Sequence, residues 1–102
     1  MKWQYIDTIS GIGNSNFDTT QYEEFIVEFN YSNMCATIVI PQLLLGNSYK
    51  TFKTGGYSIS EDCCQFSIQA KNDSFNFIEY AAYMSGNNVT QSTNVTIIGR
   101  KK

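Results

Sequence analysis

The sequence predicts an all-β fold: a single-domain antiparallel β-sandwich, jelly-roll or immunoglobulin-like, of about seven or eight short strands. Three observations carry this prediction. No segment of ten or more residues holds a helical period. Alternation of apolar and polar residues with period two recurs along the chain. Turn-forming residues interrupt it about every ten residues.

The elements follow in order. Lys2 to Ile9 (KWQYIDTI) alternates and sets Trp3 and Tyr5 on one face. Residues 10–21 are polar and carry Gly11, Gly13, Asn14 and Asn16, so they read as a long loop with room for a short strand around Ile12. In Glu24 to Asn30 (EFIVEFN), Phe25, Val27 and Phe29 point inward. Asn30, Ser32 and Asn33 signal a turn, and the β-branched run Met34 to Ile40 closes at Pro41, which cannot donate to a ladder. The pair reads as a hairpin. Leu43-Leu44-Leu45, followed by Gly46-Asn47, reads as a turn plugging one end of the core.

A strand opens at Tyr49 to Phe52 and runs to Gly55-Gly56, where missing side chains permit a bulge or kink. Alternation resumes in Tyr57 to Ser60, and Glu61-Asp62 turns the chain. Cys64, Phe66, Ile68 and Ala70 then form an inward row. After a turn at Lys71-Asn72-Asp73, Phe75 and Phe77 form another. Ser85-Gly86-Asn87-Asn88 reads as a loop, Asn94 to Gly99 as the last strand, and residues 100–102 (Arg-Lys-Lys) as a basic C-terminal tail.

The totals agree with one domain. With 102 residues, surface scaling gives about 5,800 Å² folded against about 17,000 Å² unfolded, enough burial for one core without a metal or disulfide. The chain is 42% hydrophobic and 16% charged, too apolar for disorder. Its net charge of −2 opposes binding to a nucleic-acid backbone, which needs clustered Lys and Arg. No apolar run approaches the ~20 residues of a membrane span. Met1-Lys2-Trp3-Gln4-Tyr5 lacks the apolar core of a signal peptide. The expected setting is therefore the cytoplasm of the producing host, left only by lysis. Three cysteines, Cys35, Cys63 and Cys64, are an odd set, expected as thiols.

Catalysis is not expected, and no cofactor is implied. The chain has no histidine, which removes Ser–His and Cys–His activation and most zinc sites. Glu23-Glu24 and Glu61-Asp62 are adjacent, so on a strand each pair faces two ways. Asp7 and Glu28 fall on the polar faces of their strands. Gly11-Ile12-Gly13 precedes no helix, and Gly55-Gly56 lacks the lysine and hydroxyl of a phosphate loop. Cys63 and Cys64 point to opposite faces and lack a zinc spacing. Gly55, Gly56 and Gly86 are read as structural turn or bulge positions.

What remains is aromatic. Seven Tyr, seven Phe and one Trp make 15% of the chain. Exposed Tyr and Trp anchor protein interfaces and stack on sugar rings. Trp3, Tyr5, Tyr31, Tyr49, Tyr57 and Tyr83 are the candidate ligand or interface residues, with ordinary core packing as the competing assignment.

Thr51-Phe52-Lys53-Thr54-Gly55-Gly56-Tyr57, then Gly86 to Thr90 and Ser92 to Arg100, follow an early Phe25 to Asn30 strand and an Ile40-Pro41 ending. In this order they resemble the small β-sandwich modules of tailed-bacteriophage and prophage structural proteins of Firmicutes, of tail, fibre or baseplate type. The resemblance runs from about Glu23 to Arg100 and departs at Cys63-Cys64. It implies a virion or accessory structural role and a homo-oligomer, trimer or dimer, with virion proteins or a cell-surface glycan as further contacts. Two other classes stay open: a stand-alone carbohydrate- or protein-binding module, and a small phage inhibitor that presents complementary charge to a host protein.

Overall fold

Alternation builds this molecule, and three bulges among the described residues decide which side chains it presents. The computed structural model describes residues 2–31, 34–54, 62–84, 87–88 and 93–102. Strands β1 (Trp3–Ser10), β2 (Gly13–Asn16), β3 (Tyr22–Tyr31) and β4 (Met34–Pro41) come first. They are followed by β5 (Lys50–Lys53), β6 (Cys63–Lys71), β7 (Ser74–Met84), the two-residue β8 (Asn87–Asn88) and β9 (Asn94–Lys101). Short 3-10 turns occupy Thr19–Gln21 and Gln42–Leu44.

The strands form two antiparallel sheets. Sheet A has the order β1-β9-β3-β4; sheet B has the order β2-β7-β6-β5, with β8 also on β7. The all-β sandwich is as the sequence predicts. First and last strands pair, and β2 pairs with β7, which is the nesting of a jelly roll. The inner strands instead form the hairpin-like pairs β3·β4 and β5·β6.

The core lies between the sheets. Phe25, Val27 and Phe29 of β3 are fully buried, as are Ile68 and Ala70 of β6, Phe75 and Phe77 of β7, and Val95 and Ile97 of β9. Aromatic rings fill the two ends. Phe17, Tyr22, Phe25 and Phe75 meet at one end, with Phe25 and Phe75 edge-to-face at 5.0 Å. Phe29, Phe66, Phe77 and Tyr80 meet at the other, with Phe29 stacked on Phe66 at 5.7 Å. Such offset and edge contacts suit the ring quadrupole, each adding about 0.5–1.5 kcal/mol beyond area burial.

Each bulge inserts one residue and reverses the phase of its strand. In β1 the register passes from Tyr5↔Ile98 to Asp7↔Ile97, which leaves Ile6 as the extra residue. In β3 it passes from Tyr22↔Lys101 to Glu24↔Arg100, leaving Glu23. In β7 Ser67↔Glu79 gives way to Ile68↔Phe77, leaving Ile78. Tyr22 and Phe25 thus both turn inward although three residues apart, and so do Phe77 and Tyr80.

Several expectations are corrected. Residues 10–21 are not one loop. The chain bends at Gly11, whose φ of 73° favours glycine, and re-enters sheet B as β2. Gly11 N donates to Thr93 O at 2.8 Å, tying that corner to the start of β9. The chain then crosses between sheets through Phe17 N to Asp73 O and Thr19 N to Asn72 O. The basic tail is also wrong for two of its three residues, since β9 extends through Arg100 and Lys101 against β1 and β3. Of the leucine plug only Leu45 packs on the core; Leu43 is 82% exposed. Asp7 is half-buried and turned towards sheet B, where its carboxylate accepts the Ser15 hydroxyl at 2.6 Å and Thr8 N at 2.8 Å.

Candidate interaction surface

Register across sheet A fixes which side chains share its outer face. With Phe25, Val27, Val95 and Ile97 inward, the alternate residues Glu24, Ile26, Glu28, Ile98 and Arg100 face out. On β1 the bulge at Ile6 turns Trp3 and Tyr5 outward, against the inward phase of Ile9. Tyr5 and Thr8, three residues apart, then lie on one face and share a hydroxyl–hydroxyl bond at 3.0 Å. An unbroken strand would put them on opposite faces.

The paired positions form rows that run across all four strands. One row is Tyr5–Ile98–Ile26–Val39 and contains no charged side chain. Tyr5 is 64% exposed and Val39 57%. The neighbouring row is Trp3–Arg100–Glu24–Pro41, with Trp3 42% exposed. At its centre Arg100 Nε donates to Glu24 Oε1 at 3.0 Å, a half-buried ion pair. The next rows are polar: Thr8–Thr96–Glu28–Thr37, then Ser10–Asn94–Asn30–Cys35. Two aromatics and several aliphatic side chains thus surround one ion pair on the outer face of sheet A. β4, the sheet's edge, carries no charge in MCATIVIP.

The support beneath this face is tight. Gly99 of β9 faces inward under Tyr22 and Ile6; a Cβ there would lie 2.5 Å from a Tyr22 ring carbon and 2.7 Å from Ile6 Cδ1. Glycine at this position lets the bulge of β1 close over β9.

The other sequence candidates scatter. Tyr31 is buried in the core at the end of β3, so its ring faces the interior rather than a partner. Tyr83 is placed by its backbone, opposite Cys63 on β6 and Asn88 on β8. Tyr57, Gly55, Gly56 and Gly86 lie outside the described residues. Tyr49 is 40% exposed at one end of the sandwich. Its hydroxyl donates to Ser74 Oγ at 3.0 Å, and Ser74 Oγ donates to Asn16 Oδ1 at 2.9 Å. Lys71 Nζ lies 5.0 Å from the Tyr49 ring centroid and 3.5 Å from Asp73. Beside them Asn16, Asp18, Asn47, Lys71, Asn72 and Asp73 line an open cleft. Thr20 holds the Asp18 carboxyl below its ordinary value through hydroxyl and backbone hydrogen bonds.

The cysteines are thiols and stand in different settings. Cys35 is exposed on the outer face of β4, whereas Cys64 belongs to the inward row of β6. Burial pushes the Cys64 thiol up, and the nearby Cys35 and Cys63 thiols add to this. Among the described residues, no group of three or more His, Cys, Asp or Glu gathers to hold a metal ion.

Sequence reasoning named Trp3 and Tyr5 but missed Ile26, Val39 and Ile98, which complete their surface. Nothing in a linear pattern orders strands as β1-β9-β3-β4, so no sequence signal joins these residues. No protein-family model, curated protein or solved structure matches this chain.

Proposed function

We propose that this protein is a non-catalytic assembly module of phage or prophage structural type, which associates with itself through the outer face of sheet A. The observation that carries the reading is the uncharged row Tyr5–Ile98–Ile26–Val39, flanked by Trp3 and Pro41. Removing half-exposed apolar side chains from water is favourable by about 25 cal/mol per Å². Tyr and Trp are the side chains most enriched among interface anchors. The virion setting is supported by the strand-and-glycine order that resembles phage β-sandwich modules.

The test is sedimentation or light scattering across protein concentration. Self-association with a dissociation constant of roughly 1–100 µM is expected, because the face is at the small end of stable interfaces. Tyr5→Lys with Val39→Lys abolishes it, whereas Gln69→Lys with Thr51→Lys on the opposite sheet leaves it unchanged. A chain that stays monomeric at about 1 mM overturns the reading.

A second reading, contact with a cell-surface glycan, is favoured by the cleft beside Tyr49. Carboxamides, carboxylates and a lysine there offer hydrogen bonds to sugar hydroxyls, and Tyr49, with Lys71 Nζ over one face of its ring, stands beside them. Glycan-array binding that Tyr49→Ala removes without changing the melting temperature would support it; absence of binding, or binding that survives the substitution, would remove it.

A further inference from the structure

We infer that two copies pack sheet A against sheet A about a two-fold axis running nearly parallel to the strands, between β3 and β9. The inference rests on the proposed self-association and adds its geometry. Face-to-face packing of two identical sheets requires an axis in the plane of the contact. Any in-plane direction meets this condition; the two that keep the strands of both copies aligned run along the strands or across them, and the rows of sheet A distinguish between these.

An axis along the strands between β3 and β9 exchanges β9 with β3 and β1 with β4. Arg100 of each copy then lies opposite Glu24 of the other, twice. Trp3 lies opposite Pro41, Tyr5 opposite Val39, and Ile98 opposite Ile26. Every charged position in the two apolar-flanked rows meets its opposite charge, and the aromatic side of the face meets the aliphatic side. Glu28, in the next row, meets Thr96.

An axis across the strands, along the Tyr5–Val39 row, keeps each strand over itself. Glu24 then meets Glu28 of the other copy, and Arg100 meets Thr96. Like charges brought together at an interface are strongly unfavourable. Tilted by about 15° from the strands, the along-strand axis gives the roughly 30° crossing of aligned sheets. Four strands about 4.8 Å apart and eight residues long present roughly 500 Å² in projection, before corrugation is counted. That places the pair at the weaker end of specific interfaces.

Charge reversal tests the axis. Arg100→Glu puts glutamates at both central positions of the face; Glu24→Arg puts arginines there. Each variant alone is expected to dimerise about tenfold or more weakly than the wild type. Mixed in equal amounts, they restore affinity, because glutamates then face arginines across the axis. A merely structural role for the ion pair within one chain predicts no rescue by mixing.

A second measurement avoids both residues. In a Cys35→Ser background, Thr8→Cys chains mixed with Thr37→Cys chains should form disulfide-linked dimers under mild oxidant faster than either alone. These positions oppose each other only across the proposed axis, while within one chain β1 and β4 are opposite edges of the sheet. Wild-type dimers with neither rescue nor mixed cross-linking would overturn the axis alone. A wild type that never dimerises would overturn the assembly reading, and the axis with it.

Discussion

The two outer faces of this sandwich are built from the same kind of strand and differ in the chemistry of one row. On sheet A the central row is Tyr5–Ile98–Ile26–Val39. On sheet B the equivalent row is Asn14–Asn76–Gln69–Thr51, four polar side chains in which Gln69 Nε2 donates to Thr51 Oγ1 at 3.4 Å. The next row of sheet B, Lys53–Ser67–Glu79, is also polar. Since each sheet already buries its inner face, neither outer face is needed to close the core. The apolar row on sheet A is therefore the surface that the proposed self-association would cover. On the proposed self-association, the contrast separates residues that make the fold from residues that would meet a second copy.

The contrast depends on a bulge, and the bulge depends on a glycine. Gly99→Ala is expected to give the largest single effect, because its Cβ would collide with Tyr22 and Ile6. Overpacking of this kind costs about 1–3 kcal/mol. The displaced Ile6 also shifts Tyr5 and Trp3, so self-association weakens together with stability. Gln69→Ala on the polar face, by contrast, stays within about 0.5 kcal/mol of the wild type. Denaturant unfolding of both variants measures this. If Gly99→Ala is neutral in both stability and association, the face does not rest on a tight β1–β9 closure.

How much of this was legible follows from the same bulges. Phe25, Val27 and Phe29 could be read as inward because nothing interrupts their alternation before the core. The same holds for Phe66, Ile68 and Ala70, and for Phe75 and Phe77. Trp3 and Tyr5 share the odd phase of Ile9, and alternation alone sends all three to one face. Ile6 breaks that phase with no glycine or proline to announce it. The strand in 13–16 was obscured by its GNSN composition, which reads as a turn although Ser15 is buried. Tyr31 errs the other way: it keeps the phase of Phe29 and was legible as core. The apolar row itself needed strand order and register, which arise from long-range pairing and leave no local trace.

The smallest expected difference lies between two ion pairs, one on each outer face. Arg100 Nε and Glu24 Oε1 are 3.0 Å apart, with side chains 27% and 29% exposed. Lys53 Nζ and Glu79 Oε1 are 3.8 Å apart, with side chains 66% and 64% exposed. Solvent screens the second pair more fully, and Glu79 keeps a hydrogen bond from Ser67 Oγ at 3.0 Å when lysine is lost. Arg100→Met should therefore cost about 1 kcal/mol, and Lys53→Met roughly 0–0.3 kcal/mol. Both must be measured on dilute, monomeric protein, since dimer formation adds its own stability. Raising the salt concentration should shrink the already small Lys53 effect first. Equal costs for the two variants would mean that the ion pair on sheet A is as well solvated as its counterpart. The charges at the centre of that face would then be ordinary surface charges, and the contrast between the faces would rest on the apolar row alone.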